Sequence, residues 1–375
     1  MPKVRVLVVD DAVVARQLIS KALAADTGIE VVGVAANGHI ALAKIPQVNP
    51  DLIVLDLEMP EMSGLEILSV IRKTYPHLPV IIFSASTKLG ASATLDALAL
   101  GATDYATKPR HLGREAAMQY TRQQLVPKIK TFGLRDVKKQ PVSPLISIQS
   151  PPQAALSAVA LSPVSFPRRS PVSANKISLK HSPVQVVAIG VSTGGPNALA
   201  ALLPKLPGKL PVPIVIVQHM PPLFTQRLAE RLTHQGQIPV SEGITGAILQ
   251  PGQAWLAPGD FHMSVERDDT AVKLQIHQAP PENSCRPAVD VLFRSVVQVY
   301  GHGTLGVILT GMGQDGLHGC QCIREAGGQV LVQDEASSVV WGMPGMVAQA
   351  GLANQILPLA DIANEIVQRV QGGGV

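Results

Sequence analysis

Short apolar runs alternate with longer amphipathic stretches over the first 125 residues of the chain. The runs lie at residues 4–9, 31–35, 52–55, 80–83 and 103–107. Short runs rich in Val, Ile and Leu are typical of strands that are buried on both faces. The stretches after each run predict helices over residues 12–25, 39–45, 64–73, 91–100 and 115–125. Repeated strand–helix units predict a doubly wound parallel sheet.

The alternation stops near Phe132 and resumes near Val184. The residues between them are mainly Pro, Ser, Ala, Lys and Arg, and they follow neither a helical nor a strand period. This composition predicts a flexible Pro-rich linker, which we place at residues 126–183. Because a connection of this length is unusual inside one domain, it also predicts two separate domains.

The same alternation predicts a second α/β domain over residues 184–375. Predicted strands lie at residues 186–189, 214–217, 254–257, 305–309 and 329–332, and a hairpin joins residues 263–266 to 272–276. Predicted helices lie at residues 197–203, 224–232, 286–299, 317–325 and 361–370. The predicted fold class is therefore α/β, with two doubly wound parallel-sheet domains joined by the linker.

The composition agrees with two well-packed domains. Of the 375 residues, 46% are hydrophobic and only 15% are charged, which excludes a chain that is disordered throughout. The net charge of +4 arises locally, because Asp136 is the only acid between residues 128 and 180, where Lys and Arg are frequent. Such a segment either contacts an acidic protein or nucleic acid or, more commonly, is a solvated linker.

The cysteines and the apolar runs indicate the cellular compartment of the protein. Three cysteines, at positions 285, 320 and 322, are too few for a disulfide framework, and the pair at 320 and 322 lacks the second pair of a zinc site. We interpret them as reduced cysteines that pack in the core. The chain opens without a signal peptide, and no apolar run is long enough to span a bilayer, so we expect a soluble, cytoplasmic protein.

Polar side chains follow four of the predicted strands in the first domain. The residues in question are Asp10, Asp11, Asp56, Ser84 and Lys108. The carboxyl ends of parallel strands meet at one edge of a sheet, so we expect these groups to lie together. Converging carboxylates favour Mg²⁺, and a lysine beside them can bind a phosphoryl oxygen. As an alternative, the paired acids at positions 10 and 11 only cap a helix.

Residues 1–125 resemble a response-regulator receiver domain, which has a flavodoxin-like fold. The matching positions are Asp10-Asp11, Asp56 followed by Glu58-Met59-Pro60, Gly64, Ser84-Ala85 and Tyr105-x-x-Lys108-Pro109. The resemblance implies that a histidine kinase phosphorylates Asp56, and that Asp10, Asp11, Asp56 and the main-chain carbonyl of Glu58 form the Mg²⁺ site. It also implies that Ser84 and Tyr105 reorient on phosphorylation, and that the Lys108–Pro109 bond is cis. An added phosphate can bias a two-state loop.

The second domain opens with a strand that ends in Gly190-x-Ser192-x-Gly194, before a predicted helix. Glycines permit a sharp turn, and the N–H groups at a helix N-terminus can stabilise an oxyanion. The pattern favours a nucleophilic Ser192, with oxyanion support from Thr193, Gly194 and Met312. Two alternatives are a plain connecting turn and a phosphate cradle, although the serine breaks the Gly-x-Gly-x-x-Gly pattern.

A serine hydroxyl needs a base, and the base needs a carboxylate to orient it. His219 and Asp315 each follow a predicted strand of the second domain, which makes them the candidate base and orienting acid. His262, after a weaker strand, and His318, inside a predicted helix, are rival bases. The order Ser, His, Asp differs from that of ordinary α/β-hydrolases.

Residues 184–370 resemble the catalytic domain of CheB-type chemotaxis protein-glutamate methylesterases, which is Rossmann-like. The matching segments are 189–196, 218–222, 257–260, 286–293 and 309–316. In this resemblance the family's serine, histidine and aspartate fall on Ser192, His219 and Asp315. It implies that the substrates are γ-glutamyl methyl esters of chemoreceptors and that many members also deamidate receptor glutamines. Contact with the membrane would then be only through the receptors.

The two domains together suggest regulation by phosphorylation. We expect the unphosphorylated first domain to cover the catalytic edge, although the linker is longer and richer in proline than the resemblance leads us to expect. The alternative is a phosphorylation-dependent binding module or a transcription regulator without esterase activity. No helix-turn-helix pattern follows the first domain, so no nucleic-acid partner is expected.

Overall fold

The computed structural model describes residues 3–133, 183–269 and 271–372. Most of the predicted linker, residues 134–182, lies outside the described residues. The first domain contains strands β1 (Val4–Val9), β2 (Ile29–Ala35), β3 (Leu52–Leu55), β4 (Val80–Ser84) and β5 (Asp104–Thr107). Its helices are α1 (Val13–Ala24), α2 (Gly38–Val48), α3 (Gly64–Thr74), α4 (Lys88–Ala99) and α5 (Arg114–Gly133).

The first sheet has the strand order β2-β1-β3-β4-β5, and every pair of neighbours is parallel. Every residue of β3 and β4 is buried, because helices cover both faces of the sheet. Helix α3 begins at a capping box, in which Ser63 accepts from the N–H of Glu66 and the Glu66 carboxylate accepts from the N–H of Ser63.

Helix α5 extends eight residues beyond the end predicted at Leu125, into residues that the predicted boundary assigns to the linker. Pro127 lies inside the helix and removes one backbone donor. The helix continues because Val126, Ile129 and Phe132 are buried with residues of the first sheet, and this hydrophobic burial outweighs the missing hydrogen bond. The exact domain boundaries stay a prediction.

The second domain is built on a larger sheet. Its strands are β6 (Val186–Val191), β7 (Ile214–Gln218), β8 (Val240–Glu242), β9 (Ala254–Leu256), β10 (His262–Arg267), β11 (Val272–His277), β12 (Thr304–Ile308), β13 (Gln329–Gln333) and β14 (Gln355–Leu357). Its helices are α6 (Gly195–Leu202), α7 (Phe224–Gln235), α8 (Val289–Tyr300), α9 (Leu317–Glu325), α10 (Met343–Gln349) and α11 (Leu359–Gln371), with 3₁₀ turns at Leu203–Lys205 and Gly301–Gly303.

Seven strands form the parallel sheet in the order β14-β13-β12-β6-β7-β9-β8, and β10 and β11 pair separately as the predicted antiparallel hairpin. Two doubly wound parallel sheets are thus confirmed. The chain runs outward from β6 in both directions, through β7 on one side and β12 on the other. The junction of β6 and β12 is therefore a topological switch point, where α/β sheets place their sites.

Three short elements were not predicted. Strands β8 and β14 have only three residues each and lie at the edges of the sheet, so they carry no long apolar run. Helix α10 has seven residues and contains Pro344 near its start. None of the helices among the described residues combines the length and the hydropathy needed to cross a bilayer.

Candidate active site

The predicted carboxylates of the first domain converge at the carboxyl end of its sheet. Asp10 and Asp56 are buried, with 1% and 2% of their surface exposed, and Asp11 is exposed. Oxygen atoms of the three carboxylates lie within 4.8 Å of one another. One of them, Oδ2 of Asp10, is buried and faces the ammonium group of Lys108. Such a set of hard oxygen ligands fits Mg²⁺.

Lys108 neutralises part of the negative charge of the buried carboxylates. Its Nζ lies 2.8 Å from Oδ2 of Asp10 and 2.7 Å from Oδ2 of Asp56. Burial raises the pKa of Asp56, Lys108 lowers it, and Asp10 raises it again, with a net upward shift. Burial alone lowers the pKa of Lys108, but the two carboxylates outweigh burial and raise it. The ammonium is therefore charged and in contact with the candidate phosphorylation site.

The remaining receiver residues lie around this group. The exposed side chain of Glu58 stays outside the carboxylate cluster, and its N–H donates to Oδ1 of Asp56 at 3.3 Å. Ser84 is buried and its hydroxyl donates to the carbonyl of Gly90 at 3.3 Å. The expectation of a cis peptide bond between Lys108 and Pro109 is wrong for this structure. The one cis peptide bond among the described residues lies between Arg286 and Pro287. The trans form is the default for an X–Pro bond.

The second sheet brings three neighbouring strand ends together. Ser192 directly follows β6, and His219 directly follows β7. Asp315 lies in the loop between β12 and α9. Because β12, β6 and β7 are consecutive in the sheet, the three residues project from the same edge.

The turn that carries Ser192 is held by buried polar groups. Its backbone N–H donates to the carbonyl of Thr310 at 3.0 Å, and the Gln218 amide donates to the Ser192 carbonyl at 2.9 Å. The hydroxyl of Thr310 donates to the carbonyl of Thr193 at 2.9 Å. Sequence reasoning assigned no role to Gln218 or Thr310, because an amide and a hydroxyl inside apolar surroundings give no pattern that reveals their partners.

Two glycines make the turn possible. Gly194 has φ +78°, in the left-handed region that side chains disfavour. Gly311, in the loop after β12, approaches the serine so closely that a Cβ there would lie 2.8 Å from the Cβ of Ser192. Close approach of these backbones brings the Asp315 loop to the serine turn.

His219 and Asp315 form a direct hydrogen bond, with Nε2 of the ring 2.8 Å from Oδ2 of the carboxylate. The carboxylate is buried and also accepts from the backbone N–H groups of Val289, Asp290 and Gly316. Burial raises the pKa of Asp315, but the hydrogen bonds outweigh it and the net shift is downward. Asp315 is therefore an ionised acceptor, which fixes Nε2 of His219 as a donor.

Burial alone would lower the pKa of His219, but the hydrogen bond to Asp315 and the neighbouring Cys285 raise it to about 9. The second ring nitrogen, Nδ1, lies 3.6 Å from Sγ of Cys285. Among the described residues, the hydroxyl of Ser192 makes no hydrogen bond, so the structure brings serine and imidazole to one cleft without joining them. The interpretation of Cys285 as a packing cysteine is wrong, because its sulfur lies at this site.

The rival histidines lie elsewhere. His262 is buried, its Nδ1 accepts from the N–H of Ala288, and its Nε2 lies 3.1 Å from the carbonyl of Pro280. His318 is exposed on α9. Neither ring lines the cleft that contains Ser192.

Candidate oxyanion donors surround the serine. The backbone N–H groups of Thr193, Gly194 and Met312 donate to no acceptor within the three described ranges of the chain. The N–H of Gly195, by contrast, donates to the carbonyl of Ser192 at 2.8 Å. The first three are therefore available to an oxyanion, and the fourth closes the turn.

The cleft lies between the two domains and has a volume of about 680 Å³. Ser192 and His219 line it from the second domain, and Tyr105 and Lys128 line it from the first. The ring of Tyr105 stacks on Phe224, with centroids 5.2 Å apart and an interplanar angle of 11°. The first domain therefore covers the serine and the imidazole with its β5–α5 face.

Direct polar contacts join the domains beside the cleft. The hydroxyl of Thr193 donates to Oδ2 of the buried Asp104 at 3.4 Å, and the same oxygen is 2.5 Å from Nζ of Lys128. Farther out, the Asn197 amide donates to the carbonyl of Leu98 at 2.8 Å. Since Thr193 directly follows Ser192, one of these contacts reaches the serine turn.

Comparison with known proteins assigns both domains. A CheB methylesterase family model matches residues 187–366, and a response regulator receiver domain model matches residues 6–117. A protein-glutamate methylesterase/protein-glutamine glutaminase from Trichodesmium erythraeum is 57% identical over 99% of this chain and 100% of its own length. The chain belongs to the protein-glutamate methylesterase/protein-glutamine glutaminase family. The resemblances found in the sequence are confirmed.

A second member of this methylesterase family, from a Nocardioides species, is 47% identical over 99% of this chain and 96% of its own length. The crystal structure of the Thermotoga maritima CheB methylesterase catalytic domain is 39% identical, covers 49% of this chain and 98% of its own, and superposes with a TM-score of 0.49. The relatives do not favour a binding module or transcription regulator without esterase activity.

Proposed function

We propose that this chain removes methyl groups from γ-glutamyl methyl esters of chemoreceptors, deamidates receptor glutamines, and is activated by phosphorylation at Asp56. The relatives' names support the reaction class, and the receiver domain supports control by a histidine kinase. The nucleophile is Ser192, the general base and acid is His219, and the orienting carboxylate is Asp315.

The hydrogen bonds of His219 suggest which ring nitrogen reacts. Nε2 donates to the ionised Asp315, so in the neutral ring only Nδ1 can accept a proton. Nδ1 takes the proton of Ser192 as the hydroxyl oxygen attacks the ester carbonyl. The same nitrogen then protonates the leaving methanol, or ammonia when the substrate is a glutamine. Water hydrolyses the acyl-enzyme in the same way and releases the glutamate.

The negative charge that develops on the carbonyl oxygen needs donors nearby. The N–H groups of Thr193, Gly194 and Met312 are without acceptors among the described residues, and we assign them this role. Donors that are already oriented are effective in a site shielded from water, because no solvent must reorganise as the charge appears.

In the receiver domain, Asp10, Asp11, Asp56 and the carbonyl of Glu58 would hold Mg²⁺. The ion supplies charge neutralisation for the phosphoryl group that is transferred to Asp56. Lys108, which contacts both buried carboxylates, would bind a phosphoryl oxygen once it is present.

Phosphorylation of Asp56 would act on the contact by which the first domain covers the catalytic cleft. Tyr105 directly links the two domains, because it lies on β5 and stacks on Phe224, the first residue of α7. Reorientation of Ser84 and Tyr105 would remove this contact and expose Ser192. The unphosphorylated state is then the covered, less active one, and the phosphodonor shifts the population to the open one.

The observation that carries this proposal is the cleft that Ser192 and His219 share with Tyr105 and Lys128. Its test is a measurement of methanol and ammonia release from methylated receptors by the full chain with Mg²⁺, with and without a small-molecule phosphodonor. We expect release to increase with the phosphodonor, and the increase to disappear in Asp56→Asn. Release of neither product in either condition would contradict the proposal.

A further inference from the structure

The catalytic scheme leaves one nucleophilic side chain of the cleft without a role. Cys285 lies in the segment before α8, is half-buried and lines the cleft with Ser192 and His219. Its Sγ is 3.6 Å from Nδ1 of His219, the ring nitrogen that must accept the proton of the serine. The other ring nitrogen is bonded to Asp315, so sulfur, imidazole and carboxylate form one connected group.

The separation of Nδ1 and Sγ matches that of two ligand atoms on one tetrahedral zinc ion. Tetrahedral zinc, with about 2.05 Å to nitrogen and 2.3 Å to sulfur, holds those two ligand atoms about 3.6 Å apart. Nδ1 and Sγ lie at this separation without any movement of the backbone.

The surroundings of the His219 ring also fit those of a metal-binding imidazole. Imidazoles that bind metals commonly donate their other N–H to a carboxylate, which fixes the tautomer and makes the metal-binding nitrogen more basic. Here Nε2 donates to Asp315, whose position is set by three backbone N–H groups. The metal-binding nitrogen is therefore Nδ1, which faces the sulfur and the open cleft.

We propose that Zn²⁺ binds Nδ1 of His219 and the thiolate of Cys285, and that it thereby inhibits the enzyme. On binding, the thiol and the protonated imidazole each release a proton to solvent, and water from the cleft completes the coordination. An occupied Nδ1 cannot take the proton of Ser192, so the serine stays a poor nucleophile. The inhibition rests on the proposed esterase function, whereas the binding site does not.

The binding test uses Co²⁺ as a spectroscopic substitute on the full chain. A cobalt ion bound to a thiolate has a charge-transfer absorption in the near-ultraviolet, and a cobalt ion bound only to carboxylates does not. We expect this absorption in the native chain and in Cys322→Ser, the matched control, because Cys322 lies on α9 and outside the cleft. We expect none in Cys285→Ser.

The inhibition test measures methanol release against Zn²⁺ concentration, each variant being compared with its own metal-free rate. Loss of the sulfur ligand should raise the half-inhibiting concentration by at least about tenfold in Cys285→Ser and leave it unchanged in Cys322→Ser. A chelator should restore the rate. Both variants retain Asp10, Asp11 and Asp56, so a metal at the receiver carboxylates affects them equally.

Three results would each overturn the inference. The cobalt–thiolate absorption could be absent from the native chain, or it could persist in Cys285→Ser. The third is equal inhibition by Zn²⁺ in the native chain and Cys285→Ser. If no esterase activity is found, the proposed function fails, while the cobalt spectrum still decides whether the metal site exists. Circular dichroism of each variant verifies that it is folded.

Discussion

Raising the pH is expected to activate the unphosphorylated enzyme, because its candidate base is protonated at neutral pH. The pKa of His219 is raised to about 9 by Asp315 and Cys285, which outweigh the opposite effect of burial. Of the other charged groups at the cleft, Asp260 and Arg286 are paired with each other at 2.6 Å, and Lys128 is paired with Asp104 at 2.5 Å. A raised pKa keeps the proton on the ring, and an imidazolium cannot accept a proton from Ser192.

The size of the rate increase with pH follows from the pKa of His219. With a value of about 9, about 1% of the His219 rings are neutral at pH 7. The rate should therefore rise roughly tenfold per pH unit from neutral pH and level off above a pH of about 9. The plateau rate should be on the order of a hundred times the rate at pH 7.

The assay is methanol release by the full chain, without phosphodonor and with a chelator present, at pH values on both sides of 9. Methyl esters hydrolyse spontaneously in base, so the rate without enzyme is subtracted at each pH. A single apparent pKa near 9 in kcat/KM is expected. A rate that has already levelled off at pH 7, as for a histidine with the ordinary pKa of 6.5, would show that the pKa of His219 is not raised.

Further predictions concern the stability of the fold, the Asp315 carboxylate, the contact of Tyr105 between the domains and the phosphorylation site. Protonation of His219 stabilises the fold fully below pH 6.5 and is lost as the pH rises through about 9, so the thermal midpoint should fall across that window. Asp315→Asn should lower kcat roughly a thousandfold, since an amide cannot fix the tautomer; a loss below tenfold would contradict this role. Tyr105→Ala should raise the unphosphorylated rate about two- to tenfold by removing a stack worth about 1 kcal/mol, whereas Tyr105→Phe keeps the ring and the native rate. Asp56→Asn should take up no phosphoryl group by mass spectrometry, whereas Asp96→Asn, which changes an aspartate on α4 outside the carboxylate cluster, should take it up normally.

Much of the fold could be predicted from local pattern. Val4–Val9, Leu52–Leu55 and Leu317–Glu325 have the predicted bounds, because each is a compact apolar or amphipathic run that ends at a change of pattern. Placement of Ser192, His219 and Asp315 at one sheet edge also follows from the sequence, since parallel strands align their carboxyl ends.

The features of the structure that could not be predicted depend on contacts between residues that are distant in sequence. The extension of α5 through Pro127 is due to burial against β1, which no local pattern reveals. Cys285 lies far from His219 in sequence, and its sulfur reaches the ring only through tertiary folding of the segment before α8. The stacking of Tyr105 on Phe224 depends on how two separately folded domains meet.

Methanol release by Ser192→Ala, measured in the phosphorylated full chain, decides whether Ser192 is the nucleophile. Serine and alanine differ by one oxygen, and Ser192 Oγ makes no hydrogen bond among the described residues, so the thermal midpoint should not change. We predict that the variant releases methanol no faster than the buffer without enzyme. Continued turnover by a folded Ser192→Ala chain would contradict a nucleophilic role for Ser192 and would make the sulfur of Cys285 the candidate nucleophile.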